Sequence, residues 1–376
     1  MIDYRNIGVW LAVTVLAAAC QAPAPPAPNL VPTMSHLDYG VHTFVWGNPV
    51  TTERDLTNAA EAGFRWQKSL FPWREIQPDG AGQFDWTEAD RVVKASASSG
   101  LKVIARLDFE PMWARMDQAH NGPPDDYRDY WNFVAAFVSR YGPASTIGQV
   151  EAIEVWNEPN LDREWGNQPI NAASAADYVR LLSGAYQAAH KANKNIIVLS
   201  AGLSPTGVTD GHSADDVEYL KWMYAAGLRG NFDRLGAHAN AQAPDVAAAF
   251  GSLKAFSHPS FYFRRVEQLH QVMLDNGDAD KQLWLTEWGW TTDIVHPAYA
   301  WFAVSPDKQA DNLVEAFAYA RDNWSPWIGV MSVWTLPDPN WTTDREEYWW
   351  AIANPDGTPR PAYTRLRGAR LSAVLP

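Results

Sequence analysis

Apolar residues along this chain gather into short runs of strand length. Each run is followed by turn residues and then by a stretch in which apolar positions recur every three or four residues. The runs are Tyr39–Phe44, Phe64–Leu70, Leu101–Phe109, Val150–Trp156, Ile196–Ala201, Phe232–His238, Gln282–Glu287 and Gly329–Leu336. Between them, amphipathic segments predict helices at Thr52–Ala62, Thr87–Ser99, Tyr127–Tyr141, Ala173–Ala192, Asp216–Ala226, Tyr262–Asn276 and Lys308–Asn323. Strands alternating with helices imply parallel pairing through right-handed crossovers. Eight such units predict an α/β fold that closes into a (β/α)8 TIM barrel. Gly63, Gly100 and Gly277 stand where a helix gives way to the next strand, the place for a left-handed stop.

The pattern ahead of the first run is different. Ile7 to Ala19 is an apolar stretch too short for a comfortable membrane span, and with Arg5 before it, it reads as a signal-peptide core. It ends in Leu16-Ala17-Ala18-Ala19-Cys20, small residues before a cysteine, which resembles a bacterial lipobox. Ala17 stands where that pattern prefers Leu, and Asp3 weakens the basic start. Two expectations follow: a surface lipoprotein anchored through Cys20, or cleavage after Ala19 and free secretion. Gln21 to Pro32 carries Ala-Pro repeats without a periodic face and predicts an extended tether. The expected organisation is a leader over 1–20, a linker over 21–35 and a single folded domain over 36–376.

Composition narrows the chemistry. With 47% hydrophobic and 19% charged residues the chain can bury a large core. A formal net charge of -13 argues against nucleic acid or an anionic membrane surface as a charge-driven partner, so membrane contact is expected only through the anchor. Cys20 is the only cysteine, which excludes an intramolecular disulfide and a cysteine nucleophile in the folded domain. The 20 tryptophans fit either barrel packing or stacking against sugar rings, and composition does not separate the two.

Reactive groups in such a barrel come from the C-terminal ends of the strands. The fourth run ends in Trp156-Asn157-Glu158-Pro159-Asn160 and the seventh in Thr286-Glu287-Trp288-Gly289. Two glutamates therefore project into one mouth, the pair that glycoside hydrolysis needs. Asn-Glu-Pro after strand four with Glu closing strand seven resembles glycoside hydrolase clan A. Trp73-Arg74-Glu75-Ile76-Gln77-Pro78, Phe84-Asp85-Trp86, Pro111-Met112-Trp113-Ala114 and the segment from Asp356 to Tyr363 are similar to family 39-like members, and family 5 shares part of the pattern. The resemblance implies a retaining glycosidase with Glu158 as acid/base, its carboxyl raised so as to hold a proton, and Glu287 as nucleophile. It implies that Asn157 binds the 2-hydroxyl of the sugar being cleaved. Many clan members place a Tyr two residues after the His that closes strand six; here the motif is His238-Ala239-Asn240, so Asn240 stands in place of the phenol.

Other strand-end residues are candidates for substrate contact: His42, Trp334, Trp73 and Trp288, with Trp113, Trp290 and Trp341 as further flanking aromatics. Lys68, Arg106 and Glu154 lie inside strand runs and predict a buried ion-pair cluster, one cation of which faces the nucleophile. The chain lacks His-Glu-x-x-His, a P-loop, Gly-x-Ser-x-Gly and a dinucleotide fingerprint, so no cofactor and no metal are expected. The expected partner is a carbohydrate substrate. A tethered carbohydrate-binding protein on the same barrel, without turnover, is the alternative. Sugar identity, linkage and endo or exo action depend on the loops Asn160–Ala172, Asn240–Phe263 and Trp290–Ser305.

Overall fold

The computed structural model describes residues 32–116, 120–240, 245–248 and 258–371. The leader, Cys20 and most of the linker lie outside the described residues. Eight parallel strands close a barrel in sequence order: β1 (Asp38–His42), β2 (Trp66–Leu70), β3 (Lys102–Leu107), β4 (Ala152–Val155), β5 (Ile197–Ser200), β6 (Arg234–Asn240), β7 (Gln282–Gly289) and β8 (Ile328–Val333). Every apolar run overlaps one strand. Most strands stop short of the run's end, because Phe44, Phe109, Trp156 and Leu336 are apolar yet already belong to the loops. β6 and β7 run on past theirs.

Four of the surrounding helices start where a side chain satisfies their first amides. Asn171 and Ser174 form a reciprocal capping box on the helix Ala172–Ala192. Asp126 caps Tyr127–Arg140, Asp215 caps Asp216–Ala225, and Ser305 followed by Pro306 opens Pro306–Asn323. A last helix, Pro361–Leu371, packs against Pro306–Asn323, and no periodic apolar stripe foretold it.

One apolar layer lies between strands and helices. A second fills the lower barrel: Trp66, Ile104, Ala152, Leu199, Trp284 and Val330 are buried as a separate cluster. Side chains two apart on a strand share a face. Lys68, Arg106 and Glu154 stand two residues after Trp66, Ile104 and Ala152 and so point into the same interior, one step nearer the mouth. The barrel thus changes from apolar to ionic along its axis. On β7 the alternation is broken. Ala237 pairs with Leu285 and His238 with Glu287, so the register skips Thr286. This bulge sets Glu287 beside His238, on the interior face.

Candidate active site

The end of β4 is strained. Trp156 has φ +74° and Glu158 φ +38°, left-handed values that cost non-glycine residues about 1–3 kcal/mol each. Packing holds them there. The Trp156 indole is fully buried, meets Tyr130 and Trp165 edge-on, and donates from Nε1 to the Glu164 carbonyl at 2.7 Å. The Glu158 amide donates to the Gly202 carbonyl at 3.1 Å.

Glu287 is ringed by basic side chains. Its Oε1 lies 3.0 Å from Lys68 Nζ, 3.7 Å from Arg106, 3.7 Å from His42 Nδ1 and 3.9 Å from His238 Nε2. Lys68, wholly buried, also reaches Glu154 at 2.8 Å, and Glu154 accepts from the Gly202 amide at 3.0 Å. Burial works to raise the Glu287 carboxyl, but the positive charges around it, Lys68 first, then His238 and Arg106, bring it down to about 2. Burial, then Lys68, pushes His42 well below the usual histidine range, so its ring is neutral at pH 7.

Glu158 sits across the same imidazole. His238 Nδ1 donates to Glu158 Oε1 at 2.9 Å, and Arg163 donates to Oε2 at 3.2 Å. Burial again opposes ionisation, yet the His238 hydrogen bond and charge, with Arg163, hold the Glu158 carboxyl at about 2. His238 is raised: burial works against it, but Glu287 and Glu158 outweigh burial. The expectation of a raised Glu158 is therefore corrected: the proton of the pair rests on the imidazole.

Asn157 is 7% exposed, and its side-chain oxygen accepts from Arg106 at 3.3 Å. Arg106 also pairs with Asp108 at 3.3 Å. Burial raises Asp108 to about 7, against the pull of Arg106. Half-buried Trp334 meets His42 edge-on at 4.6 Å and Phe44 at 5.6 Å, and Phe44 meets Trp341 at 4.5 Å. These rings form an aromatic wall on the β1–β8 side. Asn240 pairs through its backbone with Gly289, and its side chain lies outside the described residues.

Two candidates are corrected. Trp73 is fully buried, stacked on Phe133 and edge-on to Trp113 and Tyr130. Trp288 is fully buried against Phe263 and Phe317, because the residue after the inward Glu287 turns outward into the helical layer. Neither offers a ring face to a ligand, and Trp290, 1% exposed, is likewise core. The sequence reading missed Phe44 and Arg163. Phe44 carried a signal, two residues beyond the strand-end His42. Arg163 carried only its place five residues after Glu158. Among the described residues, no group of His, Cys, Asp and Glu is arranged to hold a metal ion, and no helix is long and apolar enough to cross a membrane.

The fold and mouth define a class: parallel eight-stranded barrels with acidic side chains gathered at the C-terminal ends of the strands. Among solved structures, the chain is similar to a family 39 glycoside hydrolase from Bacteroides cellulosilyticus WH2, with TM-score 0.65 and 20% identity over 89% of this chain and 63% of that one. It is similar to a glucosidase from Croceicoccus marinus, with TM-score 0.63 and 14% identity over 91% of this chain and 68% of that one. A family 5 glycoside hydrolase from Bifidobacterium longum subsp. infantis gives TM-score 0.61 and 14% identity over 90% and 79%. In sequence, 135 residues are 27% identical to a beta-xylosidase from Geobacillus stearothermophilus, a stretch covering 33% of this chain and 25% of that protein. The chain thus matches about a quarter of the length of that curated relative. No protein-family model matches. The resemblance to clan A read from the strand-end motifs is accompanied by a shared fold.

Proposed function

We propose that this chain is a retaining glycoside hydrolase that cleaves O-glycosidic bonds of an oligo- or polysaccharide, with Glu287 as nucleophile and Glu158 as acid/base. The observation that carries the reading is one buried imidazole between two unequal carboxyls: Glu287 faces Lys68 and Arg106, while Glu158 shares a proton with His238. In the first step Glu287 attacks the anomeric carbon, the bond to the leaving oxygen breaks, and the proton of the Glu158–His238 pair passes through Glu158 to that oxygen. In the second, water gives a proton to Glu158 and attacks the same carbon, freeing Glu287. Once Glu287 is esterified its charge is gone, which changes the field at His238 and readies Glu158 for the next proton.

The test is turnover of aryl glycosides of xylose, glucose and mannose, with product stereochemistry read by NMR. Retention, loss of activity in Glu158→Gln on poorly activated substrates, and labelling of Glu287 by a 2-deoxy-2-fluoro glycoside are expected. Inversion, or a label on another residue, overturns the reading. A second reading, carbohydrate binding without turnover, draws on the ionised Glu158. It predicts sugar binding in a protein inert toward every aryl glycoside. The leader-like segment and Ala/Pro tether support a place at the cell envelope. Partition of the native protein into detergent, abolished by Cys20→Ser, tests the anchor; equal solubility of both forms favours secretion.

A further inference from the structure

The two oxygens of Glu158 are held differently. Oε1 accepts from His238, whose side chain has no exposed surface. That ring cannot withdraw: a Cβ placed on Gly202 would lie 2.2 Å from its carbon and 2.3 Å from Nε2, so the space behind it is closed. Oε2 accepts from Arg163 at 3.2 Å, and the Arg163 side chain is 66% exposed. This arm rises from the short turn Asp162–Glu164, and its other anion, Glu164, is 3.8 Å away. Only the arginine side of this ion pair is exposed, so water can take over the guanidinium when the contact is given up. General-acid catalysis needs a carboxyl oxygen within hydrogen-bond reach of the leaving oxygen. Only Oε2 can supply it, and a guanidinium stands there.

We propose that Arg163 is a displaceable counter-ion: it pairs with the Oε2 face of Glu158 and yields that face to the leaving sugar. The proposal rests on the glycosidase reading above. The groups facing Glu158 are His238 from β6, Arg163 and Glu164 from the turn after β4, and Ser204 beyond β5, with Glu287 and Lys68 across the imidazole. Tyr299, from the loop after β7, stands near Arg163 and is tied to Glu346. Of the cations in this set, Arg163 alone is largely exposed. Its departure removes a positive charge from Oε2, so the pair holds its proton more firmly once the leaving sugar is seated. The acid is thereby switched on by occupancy.

The experiment compares the pH dependence of kcat/KM and of kcat on an aryl xyloside or glucoside with a poor leaving group. The first reports the empty enzyme and the second the filled one. Losing a cation lets the pair keep its proton to higher pH. In Arg163→Gln the alkaline limb of kcat/KM should therefore move up by about 0.5–1 pH unit, while the limb of kcat stays in place. Arg163→Lys should restore most of the wild-type limb, and high salt should move wild type toward the Gln variant. Equal movement of both limbs would mean the arginine stays with the substrate, and no movement would mean the contact is idle; either overturns the proposal. If wild type turns over no glycoside, the parent reading fails. The contact is then read by carbon-13 titration of the Glu158 carboxyl in the free protein, which must rise in Arg163→Gln; an unchanged titration overturns the proposal.

Discussion

Lys68 has no exposed surface and holds two carboxylates, at 2.8 and 3.0 Å. Removing one member of a buried cluster leaves the others uncompensated, at a cost of about 3–5 kcal/mol. Lys68→Met should therefore lower thermal stability by roughly that amount. It should also raise the Glu287 carboxyl, so the acidic limb of kcat/KM moves to higher pH. A limb that stays put would show that Arg106 alone fixes the charge state. The glutamates separate by a second measurement. In Glu158→Ala, azide should restore turnover of a dinitrophenyl glycoside and give the glycosyl azide of unchanged configuration. In Glu287→Ala it should give the inverted azide, because it attacks from the vacated side. Swapped outcomes would swap the roles. At this scale the sequence was legible where a motif fixed both residue type and position, as at Glu158 and Glu287. It was not where only residue type spoke. Trp73 and Trp288 are aromatic and near strand ends, but nothing in their identity said that their rings face the helices.

Elements were legible because each strand and helix carries its own pattern. The eight apolar runs each overlap a strand, and the helices lie within a few residues of the amphipathic segments. What stayed hidden are departures from regularity. The bulge that skips Thr286 cannot be read from Gln282–Glu287, whose residues are compatible with an unbroken strand. The closure at Gly202 is equally silent, since a glycine after a strand reads as an ordinary turn. Its role is testable. Gly202→Ala would set a methyl against the His238 ring, so ring or strand end must shift. Overpacking of this kind costs about 1–3 kcal/mol. A misplacement of about 1 Å at reacting groups costs about 100-fold in rate. Native circular dichroism with activity reduced by about that factor is expected. Wild-type activity would show that the His238 position is not critical.

For the molecule as a whole, buried carboxyls set how stability responds to acid. Glu158 and Glu287, at about 2 in the folded state against an ordinary 4.5, stabilise the fold above 4.5, and this is lost as pH falls toward 2. Asp108 works the other way. Burial lifts it from 3.8 to about 7, so across that window the folded protein keeps a proton the unfolded chain has released, and stability declines as pH rises. Burial likewise lifts Asp216 and Glu346 to about 6. The melting temperature should peak near pH ~5 and fall toward pH ~8. Asp108→Asn should flatten the alkaline side; an unchanged slope would mean Asp108 stays ionised through the window. The apolar cluster around Trp66 and Trp284 has a different kind of consequence, one of traffic. Among the described residues, it stoppers the lower end of the barrel. On the glycosidase reading proposed above, a sugar freed at Glu287 must retreat through the opening by which the next one enters, and the two contend for one passage. Departing product should therefore compete with incoming substrate, and the pace of the cycle should fall as product accumulates.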